Sequence, residues 1–114
     1  MKFYSILLFS LIFTRFEIVA AEKIEIQSTD GLTISADYYP SKTKPLGVIL
    51  LCHQAGWSRG EYKETGPWLA ALGYDAVAID QRSGRKINGV KNLVAAQAKK
   101  NKLDTNYILS LIHI

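Results

Sequence analysis

The chain has 114 residues, of which 48% are hydrophobic and 21% are charged, and its net charge is +4. This balance is ordinary for a folded domain, so the composition excludes a disordered chain, and the length predicts one small domain. The single cysteine, Cys52, excludes an internal disulfide. Basic residues between positions 82 and 102 are sparse and lack interleaved aromatics, so we expect a solvated helix face there and no nucleic-acid partner.

The first 21 residues have the pattern of a secretory signal peptide. Lys2 precedes an almost uninterrupted apolar run over residues 3–13, and residues 19–21 are small. Signal peptidase accepts small residues before its cleavage site, which predicts cleavage after Ala21. The apolar run of about 11 residues is shorter than the roughly 20 that a spanning helix needs. We therefore expect a secreted or periplasmic product with no stable membrane anchor after cleavage.

Two segments of alternating polar and apolar residues follow the leader. Glu22–Gln27 and Thr33–Tyr39 both show a period of two, and an Asp-Gly pair at 30–31 lies between them. Alternation on both sides of an Asp-Gly turn predicts an antiparallel hairpin with one exposed face. The segment 40–45 has a proline at each end and predicts a polar surface turn.

Two further segments have the pattern of buried strands. Residues 47–52 are continuously apolar, which predicts a strand covered on both faces at the centre of a sheet. Asp75–Ile79 is predicted to be a second buried strand. The segment between them is helical in spacing, and strand, helix and strand in this order predict a right-handed parallel crossover.

Two helices are predicted from apolar spacing. The first covers residues 61–72, with the Gly-Pro pair at 66–67 expected to delay or break it and Gly73 expected as its C-cap. The second covers residues 88–102, with Val90, Leu93, Val94 and Ala98 expected on one side. No internal repeat and no second domain are indicated.

Three motifs, taken in order, resemble those of the α/β-hydrolase superfamily, and more narrowly its exported esterases and dienelactone-hydrolase-like enzymes. They are DGLTISADYYP at 30–40, GVILLCHQAGWSRGEY at 47–62 and GYDAVAIDQRSGR at 73–85. They resemble the opening hairpin, the central strand with its oxyanion loop, and the next strand with its turn. The resemblance covers about residues 30–85. It implies an α/β fold: the N-terminal part of an α/β-hydrolase sheet, with an antiparallel first hairpin, then parallel strands and a crossover helix.

The same resemblance implies roles in acyl transfer for the residues after the central strand. A tetrahedral intermediate carries negative charge on the former carbonyl oxygen, which fixed N–H groups can stabilise. The implied donor is the backbone N–H of Ala55. Gln54, where Gly is commoner, would add a side-chain contact, and His53 would orient the loop by hydrogen bonding rather than act as the base. The implied substrate is a small molecule with an ester, thioester or lactone carbonyl.

A serine motif within this stretch has the wrong context for a nucleophile. Residues 56–60 match G-x-S-x-G, and Ser58, Asp80 and His113 follow the Ser, Asp, His order of the superfamily. A nucleophile elbow lies directly between strand and helix, whereas this motif begins four residues after Cys52. We therefore predict that Ser58 caps the next helix or lines a pocket mouth, and its role as nucleophile is the less favoured interpretation.

Two other reactive residues have structural interpretations. Cys52 is adjacent to His53, and dienelactone hydrolases use a cysteine nucleophile. Successive strand residues point to opposite faces, however, which favours a small buried apolar role for Cys52. Asp80 and Arg82 are predicted to form a structural ion pair or to bond the turn after the strand, in preference to Asp80 being a triad acid.

The C-terminal part of the sequence contains no nucleophile motif, and this determines which function we expect. Residues 109–114 break the amphipathic pattern and are similar to translated sequencing-adapter DNA, so they are interpreted as native or as a foreign tail. The serine or cysteine nucleophile and the triad are expected outside this chain. Residues 22–114 would then be an incomplete hydrolase domain, inactive alone, with an unpaired sheet edge on Asp75–Ile79.

An alternative function remains open from the sequence. The chain could be a small exported binding or interaction protein that keeps half of the fold without catalysis. Neither interpretation calls for a metal or an organic cofactor, because no His, Cys or carboxylate residues have ligand spacing.

Overall fold

The computed structural model describes residues 19–106 and 108–112. Within these ranges one sheet is formed by β1 (Glu22–Gln27), β2 (Thr33–Tyr39), β3 (Val48–Cys52) and β4 (Asp75–Ile79). The α-helices are α1 (Thr65–Ala71), α2 (Leu93–Lys100) and α3 (Ile108–Ile112), and a 3₁₀ helix spans Arg59–Tyr62. The predicted α/β class is therefore confirmed. Residues 1–18 of the predicted signal peptide and His113 lie outside the described residues.

The strand order in the sheet is β1-β2-β4-β3. The hairpin of β1 and β2 is antiparallel and has the predicted bounds. β2 pairs antiparallel with β4, and β4 pairs parallel with β3. The predicted hairpin and the predicted parallel pair are both confirmed. The hairpin turn closes through Gly31, whose φ of 89° suits glycine because it has no Cβ.

Within the described residues β3 lies at the edge of the sheet and not at the predicted central position. β4 lies between β2 and β3, and no other strand of the described residues pairs with the outer edge of β3. Val48 is 70% exposed and Leu50 is 48% exposed. A run of branched apolar residues indicates that a strand is apolar on both faces, but not which strands flank it. For the same reason the unpaired edge expected on β4 is found on β3.

Helices cover the two faces of the sheet. One cluster packs below α1, and its buried members are Tyr39, Leu51, Ala70, Ala76 and Ala78. The other packs below α2, and its buried members are Leu32, Ile34, Ala36, Ile79, Val94 and Ala98. The sheet therefore has a core on each side, as a crossover helix and a following helix on opposite faces require.

The predicted helix boundaries differ from the observed ones at turn-forming residues. The helix predicted over 61–72 is divided into the 3₁₀ helix and α1, and α1 ends before Gly73, whose φ of 98° confirms the predicted cap. The helix predicted over 88–102 begins only at Leu93, because Ile87 and Val90 form an isolated bridge. Val94 and Ala98 are buried as predicted, whereas Leu93 is 50% exposed.

The last described segment docks on the turn after β4. In α3, the buried hydroxyl of Ser110 accepts a hydrogen bond from the Arg82 N–H at 2.8 Å. Ile108 and Leu111 of the same helix remain 49% and 53% exposed. No helix in the described part of the chain is both long enough and apolar enough to span a membrane.

Candidate active site

The loop after β3 is a tight turn formed by residues 54–57, which we call the 54–57 turn. The Trp57 N–H donates to the Gln54 carbonyl at 3.0 Å, which leaves Ala55 and Gly56 in the two central positions. Both central residues are exposed. Among the hydrogen bonds of the described residues, none uses the N–H of Ala55 or of Gly56. The turn therefore presents two backbone donors that have no acceptor within the part of the chain that the structure describes.

His53 connects this turn to the end of β4. The residue is 2% exposed, and its Nε2 accepts a hydrogen bond from the Gln81 N–H at 2.9 Å. A backbone N–H can only donate, so Nε2 carries a lone pair and the ring proton is assigned to Nδ1. Nδ1 lies 2.8 Å from the Gln54 carbonyl and donates to it. Both ring nitrogens are thus hydrogen-bonded within the protein, and the ring connects the Gln54 carbonyl to the Gln81 N–H.

A carboxylate holds the first residue of the turn. The Gln54 N–H donates to Oε2 of Glu61 at 3.0 Å, across from the 3₁₀ helix that carries Glu61. The side chain of Gln54 is exposed beside Ala55. The structure brings His53, Gln54 and Ala55 into one loop, and the oxyanion roles of Gln54 and Ala55 stay predictions.

Ser58 is completely buried at the start of the 3₁₀ helix. Its hydroxyl accepts from the Gly60 N–H at 3.2 Å and donates to the Val90 carbonyl at 2.7 Å. The predicted capping role is therefore confirmed. The Ser58 hydroxyl has no exposed surface, and its proton is donated to the Val90 carbonyl. A substrate therefore could not reach this oxygen in the way that a nucleophile requires.

Asp80 and Arg82 do not form the ion pair that was one of their two predicted structural roles, since Asp80 pairs with Arg59 and Arg82 pairs with Asp30. Asp80 instead accepts from the backbone N–H of Arg59 at 2.8 Å and from its Nη1 at 2.6 Å, because it lies directly beneath the 3₁₀ helix. Arg59 also bonds Asp37 through Nε at 3.0 Å. Arg82 lies beside the hairpin turn and pairs with Asp30.

Arg59 remains charged although it is buried. Burial acts to lower the pKa of the guanidinium, but the hydrogen bonds and charges of Asp37 and Asp80 outweigh it and raise the pKa above its ordinary value. The Oδ2 of Asp80 accepts in addition from the Leu93 N–H at 3.0 Å, at the beginning of α2. Asp80 therefore has a structural position, bonded to the 3₁₀ helix and to α2.

The turn after β4, residues 80–85, is in direct contact with the 54–57 turn. Gly84 has a φ of 124°, and a Cβ built on it would lie 1.9 Å from the Trp57 carbonyl oxygen. The Arg85 N–H donates to the Gly56 carbonyl at 3.2 Å. Only glycine allows the two turns to approach this closely.

Several residues around this site were not predicted from the sequence. Asn92, which lies beside both turns, could have been found because Asn directly before an apolar helical pattern indicates an N-cap. Arg59 and Asp37 could not have been found as partners, since they are 22 positions apart and no local pattern connects them.

A cavity among the described residues lies away from the 54–57 turn. Its volume is about 460 Å³, and its lining includes Asp37, Tyr39 and Arg59 together with residues 19–21. Val19 also packs against the cluster below α1.

Cys52 is half-buried near α2, and burial raises the pKa of its thiol, which disfavours the reactive thiolate.

No family model matches the chain, and no curated protein matches it either. Among solved structures, the chain is similar to an α/β hydrolase from Novosphingobium aromaticivorans, with 15% sequence identity and a TM-score of 0.45. The alignment covers 75% of this chain and 33% of the hydrolase. The chain thus spans about a third of the length of that solved structure.

Proposed function

We propose that the chain is the N-terminal part of an exported α/β hydrolase and that its 54–57 turn supplies half of the oxyanion site. The observation that carries this proposal is that Ala55 and Gly56 are exposed residues whose N–H groups have no acceptor among the described residues. The turn follows β3, which is parallel to β4, and the carboxyl ends of parallel strands are where ligands of α/β proteins bind.

The proposed chemistry is the stabilisation of charge on a carbonyl oxygen. When a nucleophile attacks an ester, thioester or lactone, the oxygen becomes negative and accepts from the Ala55 N–H. The loss of one such donor typically costs about 3–4 kcal/mol of transition-state stabilisation. Gln54 would lend a second contact from its exposed side chain. The nucleophile, the acid and the base would come from residues outside this chain.

The surroundings of the turn support this role because catalytic donors must be fixed before the reaction begins. His53 and Glu61 bond the two sides of Gln54, and Arg85 bonds the Gly56 carbonyl. Among the described residues, these contacts leave the N–H groups of Ala55 and Gly56 and the Ala55 carbonyl as the backbone groups of the turn without a partner, and the two N–H groups are its donors.

Export is part of the same proposal. β1 begins at Glu22, directly after the predicted cleavage position, so processing after Ala21 would leave the sheet intact. Expression of the full chain in a secreting host, followed by intact-mass measurement, tests this. The expected product begins at Glu22, and a product that retains Met1 or begins within β1 would contradict export with this cleavage.

The catalytic part is tested with p-nitrophenyl acetate and the purified full chain. We expect hydrolysis at the rate of buffer, and the same rate for Ser58→Ala, because an oxyanion site without a nucleophile has no intermediate to stabilise. Ser83→Ala, in the 80–85 turn, is the matched serine control. Robust turnover that Ser58→Ala abolishes and Ser83→Ala preserves would show instead that Ser58 is the nucleophile.

A further inference from the structure

Asn92 is buried between the 54–57 turn, the 80–85 turn and α2. It is 5% exposed and is the N-cap of α2. Its Oδ1 accepts from the Ala95 N–H at 2.9 Å. Because the Ala95 N–H can only donate, this bond fixes which end of the carboxamide is oxygen, and the amide nitrogen therefore faces the two turns.

The amide nitrogen of Asn92 lies against acceptors from three segments. Nδ2 is 2.9 Å from the carbonyl oxygens of Gln81 and Ser83, 3.2 Å from that of Trp57 and 3.3 Å from Nε2 of His53. An amide nitrogen has two hydrogens, so the two shorter contacts are the principal bonds and the longer two share the same hydrogens.

The backbone of Asn92 extends the same connection. Its N–H donates to the Arg85 carbonyl at 3.2 Å, and the Arg85 N–H donates to the Gly56 carbonyl at 3.2 Å. Gly84 meanwhile contacts the Trp57 carbonyl so closely that no side chain would fit between them. A shift of the 80–85 turn would therefore displace the 54–57 turn as well.

We propose that Asn92 is the positioning residue of the candidate oxyanion loop. It touches no substrate. It acts through the Trp57 carbonyl and His53, and it holds the 54–57 turn in the shape in which the Ala55 and Gly56 N–H groups are unpaired. A role of Asn92 in catalysis rests on the proposed function. Its effect on the shape of the 54–57 turn does not depend on any activity.

Asn92→Ser separates this positioning from helix capping. Serine caps helices about as well as asparagine, so the Ala95 amide should keep its protection from hydrogen exchange. Serine has no amide group to donate to Gln81, Ser83 and Trp57, so exchange of the Trp57 amide should accelerate by about tenfold, as expected for the loss of a buried donor. The measurement is residue-resolved ¹⁵N NMR of the full chain, with the Ala55 and Gly56 amide shifts recorded in the same spectra.

Two further variants complete the test. Asn101→Ser, at the exposed C-terminal end of α2, is the control and should leave all four amides unchanged. Asn92→Asp keeps the capping oxygen but replaces the donor by an acceptor, and it should disturb the 54–57 turn at least as strongly as serine; it serves in place of Asn92→Ser should that variant not fold.

The result that would overturn the proposal is equally specific. Unchanged Ala55, Gly56 and Trp57 amides in the folded Asn92 variant would do so, and so would equal losses of protection at Ala95 and Trp57, which would reduce Asn92 to a cap. A failed hydrolase proposal would leave these spectra unaffected, so the two failures are distinguishable.

Discussion

Arg59 is a buried cation that joins two carboxylates from different parts of the fold. Its side chain is 7% exposed, and those of Asp37 and Asp80 are 11% and 0% exposed. Because Asp80 also bonds α2, the guanidinium connects β2, the loop after β4 and the 3₁₀ helix that follows the 54–57 turn. Its removal would leave two buried carboxylates without a counter-charge.

We therefore predict that Arg59→Met lowers the free energy of unfolding by about 3–5 kcal/mol, the range for breaking a buried pair from one side. Urea denaturation followed by circular dichroism measures this. The control is Arg85→Met, whose side chain is exposed and whose loss should change stability by about 0.5 kcal/mol or less. Equal effects of the two variants would show that the buried pair contributes nothing specific.

The thiol of Cys52 should react with an alkylating agent in a pH-dependent way that differs between the folded and the unfolded chain. Burial raises the pKa of its thiol, so the folded chain holds this proton more tightly than the unfolded chain does. The corresponding stability is complete below the unfolded pKa and is lost as pH rises through the folded pKa. Alkylation by iodoacetamide, measured by mass spectrometry, should reach half its maximal rate at higher pH in buffer than in denaturant. A lower midpoint for the folded chain would indicate an activated thiolate.

Local residue roles were predictable to the extent that they depend on sequence neighbours. The capping role of Ser58 follows from its place before a helix, and the structure confirms it. The partner of Asp80 was not predictable, because Arg59 is 21 positions away and approaches only when the 3₁₀ helix folds over the sheet. Arg82 was the nearer residue in sequence, yet it lies on the hairpin side.

At the scale of structural elements, the 54–57 turn and the 80–85 turn are in direct contact with each other. This contact joins the loop after β3 to the loop after β4, at the carboxyl ends of two parallel strands. Gly84 permits this contact, since its position excludes a Cβ by sterics as well as by its positive φ.

Gly84→Ala should therefore lower the free energy of unfolding by more than Gly89→Ala does. Gly89 has a φ of 82° but open space around a built Cβ. Gly89→Ala should therefore lower the free energy of unfolding only by the left-handed backbone penalty of about 1–2 kcal/mol. Gly84→Ala adds a clash with the Trp57 carbonyl and should cost about 2 kcal/mol more. Urea denaturation of both variants tests the difference, and equal costs would contradict close contact between the turns.

Elements with strong periodicity were predicted with correct bounds, whereas helix starts were not. The alternation in β1 and β2 and the Asp-Gly turn between them define the hairpin fully. The start of α2 was predicted too early because the bridge between Ile87 and Val90 interrupts an otherwise helical pattern. Apolar spacing does not distinguish a helix from a short bridged turn that precedes it.

At the scale of the whole molecule, the outstanding feature is the outer side of β3. Its edge has no strand partner among the described residues, and Leu46, Val48 and Leu50 are all at least 48% exposed. An apolar edge strand of this kind is a template for pairing with another chain. We therefore expect the chain to self-associate as its concentration rises.

A lysine on this strand should suppress that association. Leu50→Lys places a charge on the edge strand, where it opposes strand pairing. The matched control is Leu93→Lys on α2, because Leu93 is 50% exposed and Leu50 is 48% exposed. Sedimentation velocity over a concentration series should show a smaller average mass for Leu50→Lys than for Leu93→Lys. Equal masses would show that β3 is not the associating surface.

The order of the strands was the part of the fold that the sequence could not supply. Apolarity identified β3 and β4 as strands and predicted their parallel pairing. It did not reveal that β2 pairs with β4, which moves β3 to the edge. That arrangement depends on contacts between residues about 40 positions apart, such as Tyr39 with Ala76, for which no local pattern exists.

The 54–57 turn holds the N–H groups of Ala55 and Gly56 without an acceptor from residues 19–106 or 108–112, and the proposed oxyanion site depends on this. Amide hydrogen exchange of the purified full chain, resolved by NMR, tests it most directly. Ala55 and Gly56 should exchange at close to their unprotected rates, whereas Trp57, bonded to the Gln54 carbonyl, should exchange more slowly. Strong protection of Ala55 would mean that its N–H is already paired within the protein, and it would contradict an oxyanion site in this turn.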